Sequence, residues 1–216
     1  MAMIARRRPR RDRDDAGSAL VVALLASMLL AALGQGLVLL TNTDHAIAAN
    51  YHAGIDTAYA ADGALARVLP ELRRTPDWSP VLAGAVRSSF TDGTHSPVLP
   101  TGETIDLDQL TAILQSRSAS EPWGANNSVW RLYAWGPVER LATTSRSRAY
   151  LAVWVADDPA EIDGNAGADT NRTIRVLAQA FGPNRSRRSI AATVGARESD
   201  RGEEFRPRIW SWREVR

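Results

Sequence analysis

The amino-acid sequence predicts an α+β protein in which a long N-terminal helix packs on a C-terminal antiparallel sheet. Three observations support this prediction. Residues 18–40 form an apolar run without a charged side chain, and residues 41–69 keep a helical spacing of apolar side chains. Residues 128–213 contain several runs rich in β-branched and aromatic residues, which favour strands. Antiparallel strands laid on one helix form an α+β architecture.

The apolar run at residues 18–40 is long enough to cross a membrane. A helix of this length covers roughly 35 Å, which exceeds the thickness of a bilayer core. Six arginines precede it, and positive charge beside a membrane segment stays on the cytoplasmic side. An ordinary secretory signal has a shorter core of roughly 7 to 15 residues. We therefore predict a transmembrane helix, a cytoplasmic N-terminus and an exported remainder.

The helix is predicted to continue beyond the membrane through residues 41–70. Apolar side chains recur there at intervals of three, four and seven residues, as on one face of a helix. Pro70 lacks a backbone N–H and its ring clashes with the preceding turn, so we expect the helix to end at Leu69. The recurring residues are Ile47, Tyr51, Ile55, Ala58, Tyr59, Leu65 and Leu69.

Residues 71–216 are predicted to form a single globular α+β domain. The chain after Leu40 is long enough for one hydrophobic core but not for two domains. It contains no cysteine, which excludes disulfides and thiolate zinc sites. Before the strands, a short helix is predicted through Leu110 and Leu114, with Asp106 or Asp108 as its N-cap.

Five runs in the C-terminal half are the candidates for the four or five antiparallel strands that we predict. Gly182-Pro183-Asn184 separates the third run from the fourth and predicts a hairpin turn. Alternation in the last run places Trp210 and Trp212 on one face, where they either pack on the sheet or form a docking surface. The runs are residues 129–135, 150–155, 173–180, 189–196 and 208–213.

The residues around the apolar run resemble the N-terminus of type IV pilins. A short basic leader ends at Gly17, and the apolar helix begins at Ser18 without a polar spacer. This order resembles the class III leader that a prepilin peptidase cuts after its glycine. The sequence GSALVVALL and the alanine-rich sequence AYAADGAL of residues 58–65 are similar to segments of PilX-type minor pilins. These proteins often carry Glu at the position of Asp62. The order VWVADD, acidic loop, TIRVLAQAFGPNRSRR and SIAATV extends the resemblance to the sheet.

The resemblance implies a pilin-like fold with a leader at residues 1–17 and cleavage between Gly17 and Ser18. Major pilins usually begin the mature chain with Phe and carry at its fifth position a Glu that neutralises a neighbour's N-terminal amine. Ser18 and Val22 stand at these positions, so the resemblance implies a minor subunit that initiates or caps a type IV pilus or secretion pseudopilus. The implied partners are other minor pilins or pseudopilins, a tip adhesin, the prepilin peptidase and the bacterial inner membrane.

The leading alternative is a single-pass, membrane-anchored extracytoplasmic binding domain that never enters a fibre. Hydropathy and flanking charge fit this uncleaved anchor as well as a pilin. The two possibilities differ in whether residues 1–17 are removed and whether the chain is recovered in sheared filaments.

Few residues in the sequence match a catalytic, nucleotide-binding or metal-binding motif. No H-E-x-x-H, G-x-S-x-G or phosphate-binding glycine loop occurs, so we do not expect an enzyme.

The formal charge of +2 includes six Arg and three Asp before Ser18, so the remainder carries −1 and no nucleic-acid partner is expected. His45 and His52 are too few for a zinc site. The arginines of residues 185–188 predict either a solvated turn or contact with an anionic surface.

The acidic loop at residues 157–169 is the best candidate for ion binding. Calcium binds six to eight oxygen atoms on flexible loops of exported modules, so Asp158, Asp163 and Asp169 are candidate ligands. Their spacing fits no EF-hand. The alternative is a solvated turn between strands, because Asp, Gly and Asn are ordinary turn residues.

Overall fold

The computed structural model describes residues 12–121, 127–141, 147–197 and 206–215. The first eleven residues of the predicted leader lie outside this range, as does Trp123. The chain divides into two compact units with a boundary between Ala49 and Asn50. The helices are α1 (Asp12–Arg74), α2 (Ser79–Leu82) and α3 (Leu107–Ala119), and the strands are β1 (Arg131–Pro137), β2 (Tyr150–Asp157), β3 (Thr173–Phe181), β4 (Arg187–Arg197) and β5 (Arg206–Val215).

In the first unit, the side chains of residues 18–49 on α1 are all exposed. Two hydroxyl side chains, one within the apolar run and one directly after it, donate to carbonyls of the helix itself. Ser27 Oγ donates to the carbonyl of Ala23 at 2.7 Å, and Thr41 Oγ1 donates to the carbonyl of Leu37 at 2.9 Å. Such hydroxyls need no water, so they are compatible with an apolar environment.

In the second unit, the remainder of α1 buries one face against the sheet. Ala61, Ala64, Leu65, Val68 and Leu72 are almost completely buried and follow helical spacing. They pack against apolar side chains of the sheet in one continuous core. The predicted α+β fold, a long helix packed on an antiparallel sheet, is confirmed.

Helix α1 continues one turn beyond Pro70 to Arg74, which corrects the predicted end at Leu69. The buried side chain of Leu72 holds this turn against the core. Trp78, itself fully buried, donates from Nε1 to the carbonyl of Leu72 at 3.0 Å and so satisfies one of the carbonyls left open at the helix end. Tertiary burial thus outweighs the local cost of proline.

The sheet is an antiparallel meander in the order β1-β2-β3-β4-β5, so each strand pairs with the next one along the chain. The hairpin between β3 and β4 is confirmed. Its turn closes through a hydrogen bond from Gly182 N to the carbonyl of Ser186 at 2.8 Å. Asn184 and Arg185 both have φ of 56°, the left-handed region that asparagine tolerates better than most residues.

The two faces of the sheet are covered by different helices. Val153, Val155 and Val176 point to the core under α1. On the opposite face, Trp154 packs among aromatic side chains and against α3, and its Nε1 donates to Thr111 Oγ1 at 2.7 Å. Asp106 caps α3 by accepting from Gln109 N at 2.8 Å, which decides between the two predicted N-caps.

Trp210 and Trp212 do not share a face, contrary to the alternation predicted for the last strand. The pairing of β5 with β4 contains a bulge, between Thr193 and Val194 in the β4 register, that shifts the alternation. The Trp210 ring lies over Gly195, where an added Cβ would be 2.5 Å from the ring. Trp212 is paired with Ala192 on the face that α1 covers.

Candidate functional site

The first candidate site is the apolar segment at residues 18–40. Its thirteen large apolar side chains each expose more than half of their surface. Burying one such side chain is worth roughly 1.5–3 kcal/mol, so this surface is unfavourable in water and requires lipid or other apolar helices around it. Among the described residues, one helix is long and apolar enough to span a bilayer, and it contains this segment.

The predicted processing site lies at the start of this segment. Gly17 and Ser18 are exposed and belong to the helical part of the chain. Apart from its chain neighbours and the local helix backbone, no described atom lies within 4 Å of the position that a Cβ would occupy at Gly17. Since glycine costs a helix about 1 kcal/mol relative to alanine, the helix opens more easily there than at its neighbours. The bond between Gly17 and Ser18 therefore lies at an exposed position and at the weakest residue of the local helix.

The second candidate site is a group of converging carboxylates at the end of β2. Asp157 is the last residue of β2, and Asp158 and Glu161 follow in the loop to β3. One carboxylate oxygen of each lies within 4.8 Å of those of the other two. All three residues are buried, and Asp157 is completely inaccessible to solvent. We call these three residues the acidic cluster.

Hydrogen bonds from the loop fix the acidic cluster. Asp157 accepts from Asp158 N at 2.9 Å, and Asp158 accepts from Asn171 Nδ2 at 2.7 Å. Glu161 Oε1 accepts from Thr170 N at 2.7 Å. Within the described residues, the second oxygen of Asp157, Oδ2, is buried without a hydrogen-bond partner. The loop therefore holds three carboxylates close together, and among the described residues no donor reaches Oδ2 of Asp157.

Burial and repulsion between carboxylates raise the pKa of two residues of the acidic cluster, Asp157 and Glu161. Burial, and then the charge of Glu161, raise the pKa of Asp157. Burial also raises the pKa of Glu161, with further contributions from the charges of Asp163 and Asp169. Burial likewise raises the pKa of Asp169. A positive charge placed among these groups would be strongly stabilised.

The structure brings only one of the three predicted calcium ligands into the acidic cluster. Asp158 belongs to it, whereas Asp163 is exposed and accepts from Asn165 N at 2.8 Å. Asp169 accepts from Thr173 N at 3.2 Å, at the start of β3. Asp157 and Glu161 were not among the predicted ligands. The sequence feature that could have identified Asp157 is a carboxylate at the end of an apolar strand, where water cannot solvate it.

Two of the three arginines in residues 185–188 contact their own domain. The guanidinium of Arg187 lies over the Phe181 ring at 4.8 Å, and Arg188 pairs with Glu214 of β5 at 3.4 Å. These contacts support a structural role in the turn. Nearby, Tyr59 of α1 and Trp212 of β5 line an apolar cavity of about 250 Å³.

The chain was compared with models of protein families, with curated protein sequences and with solved structures, and none of the three comparisons gave a significant match. The functional argument therefore depends on the residues and geometry described above.

Proposed function

We propose that this chain is a minor pilin-like subunit that helps initiate or cap a type IV pilus or a related secretion pseudopilus. The observation that carries this proposal is the composition of α1. A glycine–serine boundary introduces a segment whose apolar side chains are exposed, and the same helix continues to the residues that bury one face under a five-stranded sheet.

The two parts of α1 have different requirements. Residues 18–40 need an apolar environment, which the inner membrane provides before assembly and sibling helices provide in a fibre. Residues 50–74 need only the sheet of their own domain, which already covers their apolar face. One helix can therefore move from lipid to a fibre while its domain stays folded.

The first residues of the segment support a tip or initiating position. Val22 stands at the fifth position of the processed chain and exposes 64% of its surface. A valine cannot neutralise the N-terminal amine of a neighbouring subunit, as the glutamate of a repeating pilin does. A subunit without a neighbour above it does not need that charge.

The alanine-rich segment at residues 58–65 supports the pilin-like packing. Ala60, Ala61 and Ala64 are buried between α1 and the sheet. Such small side chains let the helix approach the sheet closely. Asp62, in the same segment, is exposed. The segment that resembles PilX-type proteins is therefore the contact between helix and sheet.

The test is the intact mass of the full chain, extracted from membranes of cells with and without an active prepilin peptidase. We expect loss of residues 1–17 only when the peptidase is active. A Gly17→Val variant, which replaces the smallest residue by a β-branched one, should keep the leader, whereas Gly34→Val should be cut normally. A leader retained under both conditions would contradict the proposal.

The second candidate function is that of a membrane-anchored extracytoplasmic binding domain. The cavity beside Tyr59 and the half-exposed Trp212 favours it, because such surfaces bind partners. A chain that keeps its leader and is missing from sheared filaments would support this alternative. Recovery of the cleaved chain in filaments would support the pilin-like subunit.

A further inference from the structure

We infer that Asp157, Asp158 and Glu161 bind a divalent cation, calcium, at the end of β2. This inference goes beyond the proposed function and does not depend on it, because the ligands lie at the end of β2 and in the loop that follows it. It also differs from the ligand set that the sequence predicts, since Asp163 and Asp169 lie outside the acidic cluster.

The distances fit the size of a calcium ion. Calcium lies 2.3–2.6 Å from its oxygen ligands, so two ligands on opposite sides of the ion are roughly 5 Å apart. The three carboxylates of the acidic cluster each present an oxygen atom within 4.8 Å of the others. They can therefore contact one ion without a change of the backbone. Water and further loop oxygens can complete the coordination.

The buried oxygen of Asp157 points to a ligand independently of the clustering. Oδ1 accepts from Asp158 N, but Oδ2 is buried and has no hydrogen-bond partner within the described residues. An unpaired buried carboxylate oxygen costs free energy comparable to the loss of a charged hydrogen bond. Such an oxygen is rare in a folded protein unless a cation or a proton occupies it.

Calcium fits the site better than magnesium. The ligands come from one irregular loop, and calcium accepts flexible geometry, whereas magnesium demands a nearly ideal octahedron. The hydrogen bonds from Asn171 to Asp158 and from Thr170 to Glu161 already hold the two ends of the loop together. A bound ion would lock this arrangement. It would also fix Asp169, whose N–H donates to Ser79 Oγ at 3.2 Å and so joins the loop to α2.

The experiment is thermal unfolding of the full chain in non-ionic detergent micelles at pH 7.5, followed by tryptophan fluorescence. All seven tryptophans lie beyond residue 77, so the signal reports on the second unit alone. Exported calcium modules bind with dissociation constants of about 0.1–1 mM. At 10 mM calcium chloride, the expected rise in Tm relative to EDTA is about 3 to 10 °C. Equilibrium dialysis with radioactive calcium should show one ion per chain, and magnesium chloride at the same concentration should raise Tm less.

Two matched variants separate this ligand set from the rest of the loop. Asp157→Asn should weaken calcium binding at least tenfold. Its Tm in EDTA should equal or exceed that of the unaltered chain, since it removes a buried charge, so a folding defect cannot mimic the result. Asp163→Asn removes the same charge from an exposed position of the loop and should change binding less than threefold.

Three results would overturn the inference. The first is no bound calcium and no rise in Tm at 10 mM, which would mean that a proton shared by Asp157 and Glu161 satisfies the buried oxygen. The second is a calcium effect that survives Asp157→Asn unchanged. The third is a calcium effect that is lost in Asp163→Asn, which would place the ion elsewhere in the loop.

Discussion

Replacement of Pro70 by alanine should stabilise the second unit. Pro70 lies inside α1, and its side chain is exposed, so alanine fits without leaving a cavity. The substitution restores an N–H that can donate to the carbonyl of Ala66 and removes the clash of the ring with that carbonyl. Pro70 itself does not pack on the sheet; the residues of α1 that do so lie before and after it.

The magnitude follows from two opposing terms. A proline in a helix interior costs about 3 kcal/mol relative to alanine. Alanine gives the unfolded chain more conformational freedom, which lowers stability by up to about 1 kcal/mol. The expected net gain is therefore about 2 kcal/mol in the free energy of unfolding. For a unit of this size, such a gain raises Tm by about 4 to 8 °C.

The assay is thermal unfolding of the full chain in detergent, followed by tryptophan fluorescence. Pro100→Ala is the matched control. Pro100 is the second residue of a turn closed by Gly102 N and the carbonyl of Leu99 at 2.8 Å, where proline is favoured. It should lower Tm by about 1 to 4 °C. A Pro70→Ala variant with unchanged or lower Tm would refute the reasoning and indicate that α1 ends before residue 70.

Three further predictions concern the same unit. Thr57→Val removes a hydroxyl 2.6 Å from Ser186 Oγ and should lower the free energy of unfolding by about 1–2 kcal/mol in urea titrations; an unchanged midpoint would contradict this. Gly195→Ala places a Cβ 2.5 Å from the Trp210 ring, so it should alter near-ultraviolet circular dichroism and cost about 1–3 kcal/mol. Burial and the charge of a neighbouring carboxylate raise the pKa of Asp157 to about 7, so the native state binds more protons than the unfolded state between pH 4 and 7. In EDTA, the Tm of the unaltered chain should therefore fall as the pH rises from 4 to 7. A Tm that varies as little with pH as that of Asp157→Asn would contradict the raised pKa of Asp157.

The sequence predicted the elements whose signal is a repeated pattern. The helical spacing of α1 and the β-branched runs of the sheet gave the correct fold class, because burial of one face imposes the period on the residues. The turn at Gly182-Pro183-Asn184 was also predictable, since these residue types restrict the backbone. Each of these signals is local in the chain.

The features that the sequence did not predict depend on contacts between distant residues. Pro70 signals a helix end, but the burial of Leu72 and the hydrogen bond from Trp78 outweigh it. The bulge in β5 leaves no pattern, so the alternation of Trp210 and Trp212 was misleading. The acidic cluster depends on which carboxylates the folded loop turns inward.

The meander order of the sheet has a consequence for how the second unit folds. In the described sheet, each strand after β1 pairs with the strand that precedes it in the chain, so no pairing depends on a distant segment. Local pairing lowers the entropy cost of folding and shortens the time that apolar strand edges stay open. A chain that is synthesised from its N-terminus can therefore add one strand at a time to the helix already in place, with β5 as the last strand of the described sheet.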